Sequence, residues 1–156
     1  MRISDAYHAL RQRVSMPWFV LMLVCIVCIW GNSLVPGEGS GSFSLAVTQW
    51  LQGCLASVGL PFEWLTNFIV RKTAHFTEYL LLGVVASQAF DPKHLVSRQT
   101  IFATALLCAT VPTIDETIQL FVAERSGQVA DVLLDCCGAL TGIVARSQAA
   151  LRIRAR

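Results

Sequence analysis

Apolar residues occur along this chain in long blocks, each about as long as a helix that crosses a bilayer. Four of these blocks are predicted to be helices, over about residues 16–35, 67–90, 100–121 and 129–146. A hydrocarbon core about 30 Å thick needs about 20 helical residues at about 1.5 Å per residue. We therefore predict an all-α integral membrane bundle of four transmembrane helices, which forms one domain over residues 1–156.

The first apolar block follows a polar leader and could be either a signal peptide or a first spanning helix. A signal peptide needs a shorter apolar core and a cleavage site between small residues, and residues 29–32 offer no convincing site. We expect an uncleaved helix, with Trp18 and Trp30 at its two interfaces.

Helix-breaking residues separate the first two predicted spans. Residues 35–42 read Val-Pro-Gly-Glu-Gly-Ser-Gly-Ser, a composition typical of a loop in water. From Ser44 to Gly59, apolar residues recur at helical spacing with polar residues opposite. These patterns predict an extracytoplasmic loop that carries a short interfacial helix, before a bend at Pro61.

The basic residues predict the orientation of the bundle. Nine of the 12 Lys and Arg residues lie in the leader, in the loop over residues 91–99 and in a C-terminal tail that begins at Arg146. The positive-inside rule assigns these segments to the cytoplasm, so both termini are predicted to be inside. The other three, Arg71, Lys72 and Arg125, then lie toward the extracytoplasmic face.

The composition argues against several other classes of protein. The chain is 54% hydrophobic and 14% charged, whereas soluble domains have about 25% charged residues. A formal net charge of +2 is too small to indicate a nucleic-acid partner. Most of the six cysteines lie in apolar blocks, where cysteine behaves as a small hydrophobic residue. The lipid bilayer is the partner that this composition predicts.

Polar residues concentrate at one end of three predicted spans. Arg71, His75 and Glu78 share one helix face, because residues three and four apart lie on the same side. Ten side chains are predicted to line a common ligand-binding pocket: Arg71, Lys72, His75, Glu78, Glu116, Gln119, Arg125, Ser126, Asp131 and Asp135. His75, Glu78 and Glu116 are also candidates for acid-base catalysis.

Carboxylates are in excess in this region. Glu78, Asp115, Glu116, Asp131 and Asp135 face three fixed cations. Protonation of buried acids, a charged His75 or an external cation could restore the balance. A metal site of His75, Glu78, Glu116 and Asp131 is one alternative, and an ion-pair network that only stabilises the bundle is another. The sequence leads us to predict no metal and no cofactor.

Small residues are spaced for close helix packing. Gly138 and Gly142 have the G-x-x-x-G spacing and are predicted to let helices approach within the bundle. Gly83, Ala86 and Ala89 are expected to do the same on the second span.

Three motifs follow one another between residues 71 and 142. They are Arg71-Lys72-x-x-His75-Phe76-x-Glu78-Tyr79-x-x-x-Gly83, then Asp115-Glu116-x-x-Gln119-x-Phe121 with Arg125-Ser126-Gly127, and Asp131-Val132-x-x-Asp135-x-x-Gly138-Ala139-x-x-Gly142. Their order and spacing resemble the VanZ-like family, which is named for a membrane protein associated with teicoplanin resistance. The chain departs from the family pattern at residues 122–124, which read Val-Ala-Glu where a Pro-Gly turn is expected.

The resemblance implies a multi-pass protein of the bacterial cytoplasmic membrane and a reduction in glycopeptide binding at the cell surface, but it implies no reaction. Our leading hypothesis is an extracytoplasmic pocket in which Arg71, Lys72 and Arg125 bind an anionic lipid-linked or cell-wall component. One alternative is a membrane-embedded hydrolase or transferase that uses His75 and a carboxylate. Another is a structural or assembly partner in the membrane. The oligomeric state is left open.

Overall fold

The computed structural model describes residues 14–93 and 96–155. Within these ranges the chain forms five α-helices and no strands. The helices are α1 Met16–Ser33, α2 Gly37–Ser57, α3 Asn67–Phe90, α4 Arg98–Gln119 and α5 Val129–Arg154. The apolar blocks predicted to be spans correspond to α1, α3, α4 and α5. The largest difference from the predicted limits is at α5, which continues from residue 146 to residue 154.

Part of the predicted topology falls on residues that lie outside the described ranges. The leader arginines Arg2, Arg11 and Arg13, the histidine His94 and the last residue Arg156 belong to this group. The cytoplasmic position of the leader therefore stays a prediction from sequence.

The four long helices α1, α3, α4 and α5 run alternately up and down. At one end of the bundle, the backbone N–H of Ser15, just before α1, donates to the carbonyl of Ala89 near the end of α3 (2.9 Å). At the other end, Lys72 in the first turns of α3 contacts Asp131 at the start of α5. The core lies between these ends and includes Tyr79 and Leu82 of α3.

The most extensive helix contact is between α3 and α5, and glycines make it possible. A Cβ atom on Gly138 would overlap the carbonyl oxygen of Phe76, and one on Gly142 would overlap that of Leu80. Gly83 lies against the α5 backbone in the same way. The predicted role of these glycines, close packing within the bundle, is confirmed.

The helix α2 is longer than the short interfacial helix that the sequence predicts, and it begins inside the Gly/Ser-rich segment. The N–H of Gly37 donates to the carbonyl of Ala123 (3.0 Å), and the N–H of Glu38 donates to the Glu124 carboxylate (3.1 Å). These partners satisfy two of the amides that a helix start leaves open. They come from a turn more than 80 residues away, so local composition could not reveal them.

A buried ion pair links α3 and α5 at the end of the bundle opposite the polar residues. The guanidinium of Arg146, 8% exposed, donates to the Asp91 carboxylate (2.7 Å), to the Asp91 carbonyl and to the side-chain oxygen of Gln88 (3.0 and 3.1 Å). The sequence counts Arg146 with the basic residues of the C-terminal tail, whereas the structure places its side chain in a buried ion pair within the bundle. Asp91 likewise does more than end α3, because its carboxylate also accepts from the N–H of Val96 (2.9 Å).

Large apolar side chains cover much of the outer surface of the bundle. Examples from four helices are Val24 and Val27 of α1, Leu81 of α3, Phe102 and Leu106 of α4, and Leu133, Leu140 and Val144 of α5, each at least half exposed. Two helices, α1 and α4, are long and apolar enough to cross a membrane. Exposed apolar surface of this extent is unusual on a soluble monomer and is typical of a membrane contact.

Candidate functional site

A polar pocket of about 320 Å³ opens at the end of the bundle where α3 and α5 begin and α4 ends. Its lining residues are Asn67, Phe68, Arg71, Lys72, His75, Gln119, Glu124, Arg125, Ser126, Gln128 and Asp131. Seven of these belong to the ten residues that the sequence assigns to a common pocket. The chain thus brings together side chains from three helices and one turn that lie up to 64 residues apart in sequence.

Lys72 already has an internal partner in this pocket. Its ammonium group forms a hydrogen-bonded ion pair with the Asp131 carboxylate and lies 5.3 Å from the centre of the Phe68 ring. The pair joins α3 to the first turn of α5. Lys72 and Asp131 therefore line the pocket as a pair whose charges already neutralise each other.

Arg125 mainly connects two turns. Its Nε donates to the carbonyl of Val35 (3.0 Å) and its Nη2 to the carbonyl of Asn32 (2.8 Å), which ties the turn after α4 to the end of α1. Partial burial, and to a smaller extent the positive charge of Arg71, lower the pKa of Arg125. A guanidinium titrates so far above neutral pH that Arg125 still carries its charge.

We expect the substitution Arg125→Lys to lower the stability of the fold while keeping the charge. A lysine cannot donate to two carbonyls in the fork geometry of a guanidinium, so about 1 kcal/mol should be lost at this partly exposed site. Thermal unfolding of the purified protein measures the change. Arg71→Lys is the matched control, and equal destabilisation by the two variants would contradict the structural role of Arg125.

Arg71 differs from the other two cations of the pocket. It is exposed, and its side chain forms no hydrogen bond or ion pair with any residue in the described part of the chain. The pocket thus presents one guanidinium whose donors are available. Arg71 and Arg125 line the same pocket and are close enough for the charge of Arg71 to act on Arg125, so this part of the lining is positively charged.

Four side chains form a compact acidic cluster below the polar pocket. His75 of α3, Asp115 and Glu116 of α4 and Asp135 of α5 each contribute one nitrogen or oxygen atom, and these atoms all lie within 4.8 Å of one another. Asp135 is 0% exposed, Asp115 1% and Glu116 4%. The Nδ1 atom of His75 lies 3.7 Å from an Asp135 carboxylate oxygen. We name these four residues the acidic cluster.

Gln119 positions two of the carboxylates. Its Nε2 lies 3.3 Å from an oxygen of Asp115, 3.2 Å from an oxygen of Glu116 and 3.3 Å from the hydroxyl of Ser33. The second oxygen of Glu116 accepts from the backbone N–H of Gln128 (2.8 Å). Gln119, which the sequence predicts to bind a ligand, is buried and donates hydrogen bonds to two carboxylates of the acidic cluster.

Other polar atoms of this region have no hydrogen-bond partner among the described residues. They are the Nδ1 of His75, the hydroxyl of Tyr79, one oxygen of Asp115 and both oxygens of Asp135. Buried polar atoms are normally hydrogen-bonded, and each exception calls for an explanation.

A second pocket of about 400 Å³ adjoins the first and is largely apolar. It lies between α1, α2 and α3, and its lining includes Val35, Phe43, Val47, Val70, Ala74 and Glu78. Arg71 and His75 line both pockets. Glu78 lines this second pocket, whereas Glu116 belongs to the acidic cluster, and His75 takes part in both.

The structure adds Ser33, which contacts Gln119, to the residues that the sequence brings together. Asp115 is one of the carboxylates that the sequence places in this region but not one of the ten predicted pocket residues, and the structure puts it in the acidic cluster. The hydroxyl of Tyr79, a residue of the first motif, is buried between the helices. The position of Ser33 depends on how α1 packs against α4, which its sequence does not encode locally.

The departure from the expected Pro-Gly turn has a visible structural counterpart. Glu124 has a φ of 60°, in the left-handed region that favours glycine. Its carboxylate accepts from the N–H of Glu38, so this chain uses the glutamate side chain to join the turn to α2.

The comparisons with known proteins give one match. A family model described as VanZ/LLP1 matches residues 18–149, which covers most of the chain and includes most of α1, all of α2 to α4 and most of α5. Neither a curated protein nor a solved structure matches the chain.

Proposed function

The chain belongs to the VanZ/LLP1 family, and on that basis we propose that it is a VanZ-like protein of the bacterial cytoplasmic membrane that binds an anionic lipid-linked or cell-wall component. Arg71 would receive the anionic group in the polar pocket. Binding of such a component would lower the amount of glycopeptide held at the cell surface and so the susceptibility to teicoplanin.

We place all four long helices across the membrane, with both termini in the cytoplasm. Their outer faces are apolar, and buried charges such as Glu116 of α4 and Arg146 of α5 are turned inward, where each has a hydrogen-bond partner. A charge that faces protein and has a partner costs far less in a bilayer than one that faces lipid. The proposed orientation puts the polar pocket on the extracytoplasmic side, since the basic residues of the leader and tail favour the cytoplasm.

The observation that supports this function best is the pair of adjoining pockets. One is polar and contains the available guanidinium of Arg71, and the other has a mostly apolar surface with polar side chains such as Arg71 and His75 at its border with the first. An amphiphile with a phosphate group and a hydrocarbon chain matches both, because a guanidinium binds phosphate in bidentate fashion and an apolar groove buries the chain. The shared residues Arg71 and His75 would lie at the junction of head group and chain.

We expect Arg71→Gln to weaken the binding of a polyprenyl phosphate to the purified full chain by about 10-fold or more. The reason is the loss of charge-assisted hydrogen bonds, which contribute about 1.5–3 kcal/mol each. Affinity can be measured by fluorescence titration in detergent. The same substitution at an exposed arginine of the other end of the bundle, Arg98→Gln, is the control and should leave the affinity unchanged.

The neutral polyprenol tests the contribution of the phosphate, and inorganic phosphate tests that of the chain. The proposal requires both to bind more weakly than the polyprenyl phosphate. Teicoplanin susceptibility of cells that express equal amounts of the wild type and Arg71→Gln is the second readout. Equal affinity of the wild type and Arg71→Gln for the lipid phosphate would refute the binding function, whatever the susceptibility.

A further inference from the structure

We propose that the acidic cluster of His75, Asp115, Glu116 and Asp135 is a binding site for one divalent transition-metal ion, with manganese and zinc as the ions that its donors suit. The site does not depend on the lipid-binding function. It differs from the metal set considered from sequence, since Asp115 and Asp135 replace Glu78 and Asp131.

The geometry explains this exchange of residues. Asp131 is paired with Lys72, and Glu78 faces the apolar pocket. The four atoms of the cluster lie within 4.8 Å of one another, whereas tetrahedral ligands at about 2.0–2.2 Å from an ion are separated by about 3.3–3.6 Å. Small side-chain rotations would bring the donors onto one ion.

The second observation that indicates a ligand is the state of Asp135. Its side chain is completely buried, and neither carboxylate oxygen has a hydrogen-bond partner among the described residues. It points into the cluster, where His75 Nδ1 and one oxygen of Asp115 also lack such partners. The imidazole of His75 lies 3.7 Å from Asp135, which is too far for a hydrogen bond. An ion at the centre would satisfy these atoms together, and a buried carboxylate whose oxygens accept no hydrogen bond is costly.

The charges of the cluster favour a cation over a purely structural network. Three buried carboxylates face one imidazole. Of the three cations that line the polar pocket, Lys72 is paired with Asp131, Arg125 donates to backbone carbonyls, and Arg71 forms no ion pair with a cluster carboxylate among the described residues. A divalent ion would neutralise most of this negative charge. One nitrogen and three oxygen donors form a mixed set that suits manganese or zinc better than the all-oxygen sites preferred by magnesium and calcium.

The surroundings of the cluster resemble those of a built metal site. Gln119 donates to Asp115 and Glu116, and the Gln128 N–H donates to Glu116, so two carboxylates are oriented by hydrogen bonds outside the cluster. His75 lines both pockets, which makes the site accessible from the space where the anionic group would bind. An ion there would add positive charge about one helical turn from Arg71.

The test uses the full chain, purified in detergent and stripped with a chelator. Mn²⁺ is titrated and the free ion is followed by electron paramagnetic resonance, with Zn²⁺ as a competitor and Mg²⁺ as the comparison ion. We expect one Mn²⁺ per chain, displacement by Zn²⁺ and little competition from Mg²⁺. Loss of a residue that only hydrogen-bonds to a metal ligand lowers metal affinity about 10- to 100-fold. Asp135 is a proposed ligand, so Asp135→Asn should weaken Mn²⁺ binding by at least that much.

Glu78→Gln is the matched control, because it removes a nearby carboxylate that is not one of the four cluster residues. It should weaken Mn²⁺ binding far less than Asp135→Asn does, since Glu78 is not one of the proposed ligands. The proposal is refuted if the wild type binds no stoichiometric Mn²⁺ or Zn²⁺, or if Asp135→Asn and Glu78→Gln bind equally tightly. Lipid-phosphate binding measured with and without metal separates this result from failure of the proposed function.

A measurement on the unaltered cluster covers the case in which Asp135→Asn does not fold. The other two histidines, His8 and His94, are replaced by glutamine, and pulsed electron paramagnetic resonance is recorded on the Mn²⁺ complex. Coupling to a histidine nitrogen is expected, since His75 is then the remaining imidazole. Bound Mn²⁺ without nitrogen coupling would overturn the assignment of His75 as a ligand.

Discussion

Replacing Arg146 with methionine is expected to destabilise the fold by about 3–5 kcal/mol, the usual cost of breaking a buried ion pair by removing one partner. Methionine keeps much of the length of the side chain but removes the guanidinium from the buried Asp91 carboxylate. For a chain of this size the loss corresponds to a fall in unfolding temperature on the order of 10 °C. Thermal unfolding followed by tryptophan fluorescence would measure it.

Two further variants separate the ion pair from the loss of a charge in general. Arg152→Met changes an exposed arginine of the same helix and should leave the unfolding temperature nearly unchanged. Adding Asp91→Asn to Arg146→Met should recover part of the stability, because the buried negative charge is removed. A similar small effect of Arg146→Met and Arg152→Met would show that the pair contributes little.

The second large effect is expected from Gly142→Ala, a change of one methyl group. The new Cβ would overlap the carbonyl oxygen of Leu80 and approach the backbone nitrogen of Val84 at 3.0 Å. Both atoms belong to the backbone of α3 and cannot rotate away, so α3 and α5 must separate. Overpacking of this kind costs about 1–3 kcal/mol, and the lost contact extends to the acidic cluster, which spans the same helices.

Gly53→Ala is the control for this prediction. Gly53 lies in α2, and a Cβ atom there would meet nothing within 4 Å. Alanine is the better helix former by about 1 kcal/mol, so the stability should stay the same or rise. The packing argument fails if the two variants unfold at the same temperature.

The proposed metal site and the proposed lipid-binding pocket depend on different side chains of the same helices. The cluster depends on side chains that are buried and oriented by other polar groups, such as Gln119. The pocket depends on Arg71, which is exposed and lacks a partner among the described residues. A variant can therefore lose one property and keep the other, and the comparison of Asp135→Asn with Arg71→Gln uses this difference.

The sequence by itself predicted the helical class, the approximate places of the four long helices and the end of the bundle where polar residues meet. These follow from local patterns: apolar blocks of about 20 residues, glycines four apart on one face, and charged residues at helical spacing. Within α3, the polar residues of the first motif lie on one side of the helix, because residues three and four apart share a face whatever the neighbours are.

The tertiary structure decided which of these side chains are partners, since pairing depends on how helices rotate and shift against one another. In the structure Lys72 pairs with Asp131 and Arg146 pairs with Asp91. The acidic residues closest to His75 include Asp115 and Asp135, whereas the metal set considered from sequence contained Glu78 and Asp131. The tertiary structure also extended α2 back to Gly37 through contacts with a distant turn. Each of these contacts joins atoms from segments that are far apart in sequence. The pattern of residues along one segment does not determine how far its atoms lie from those of another segment.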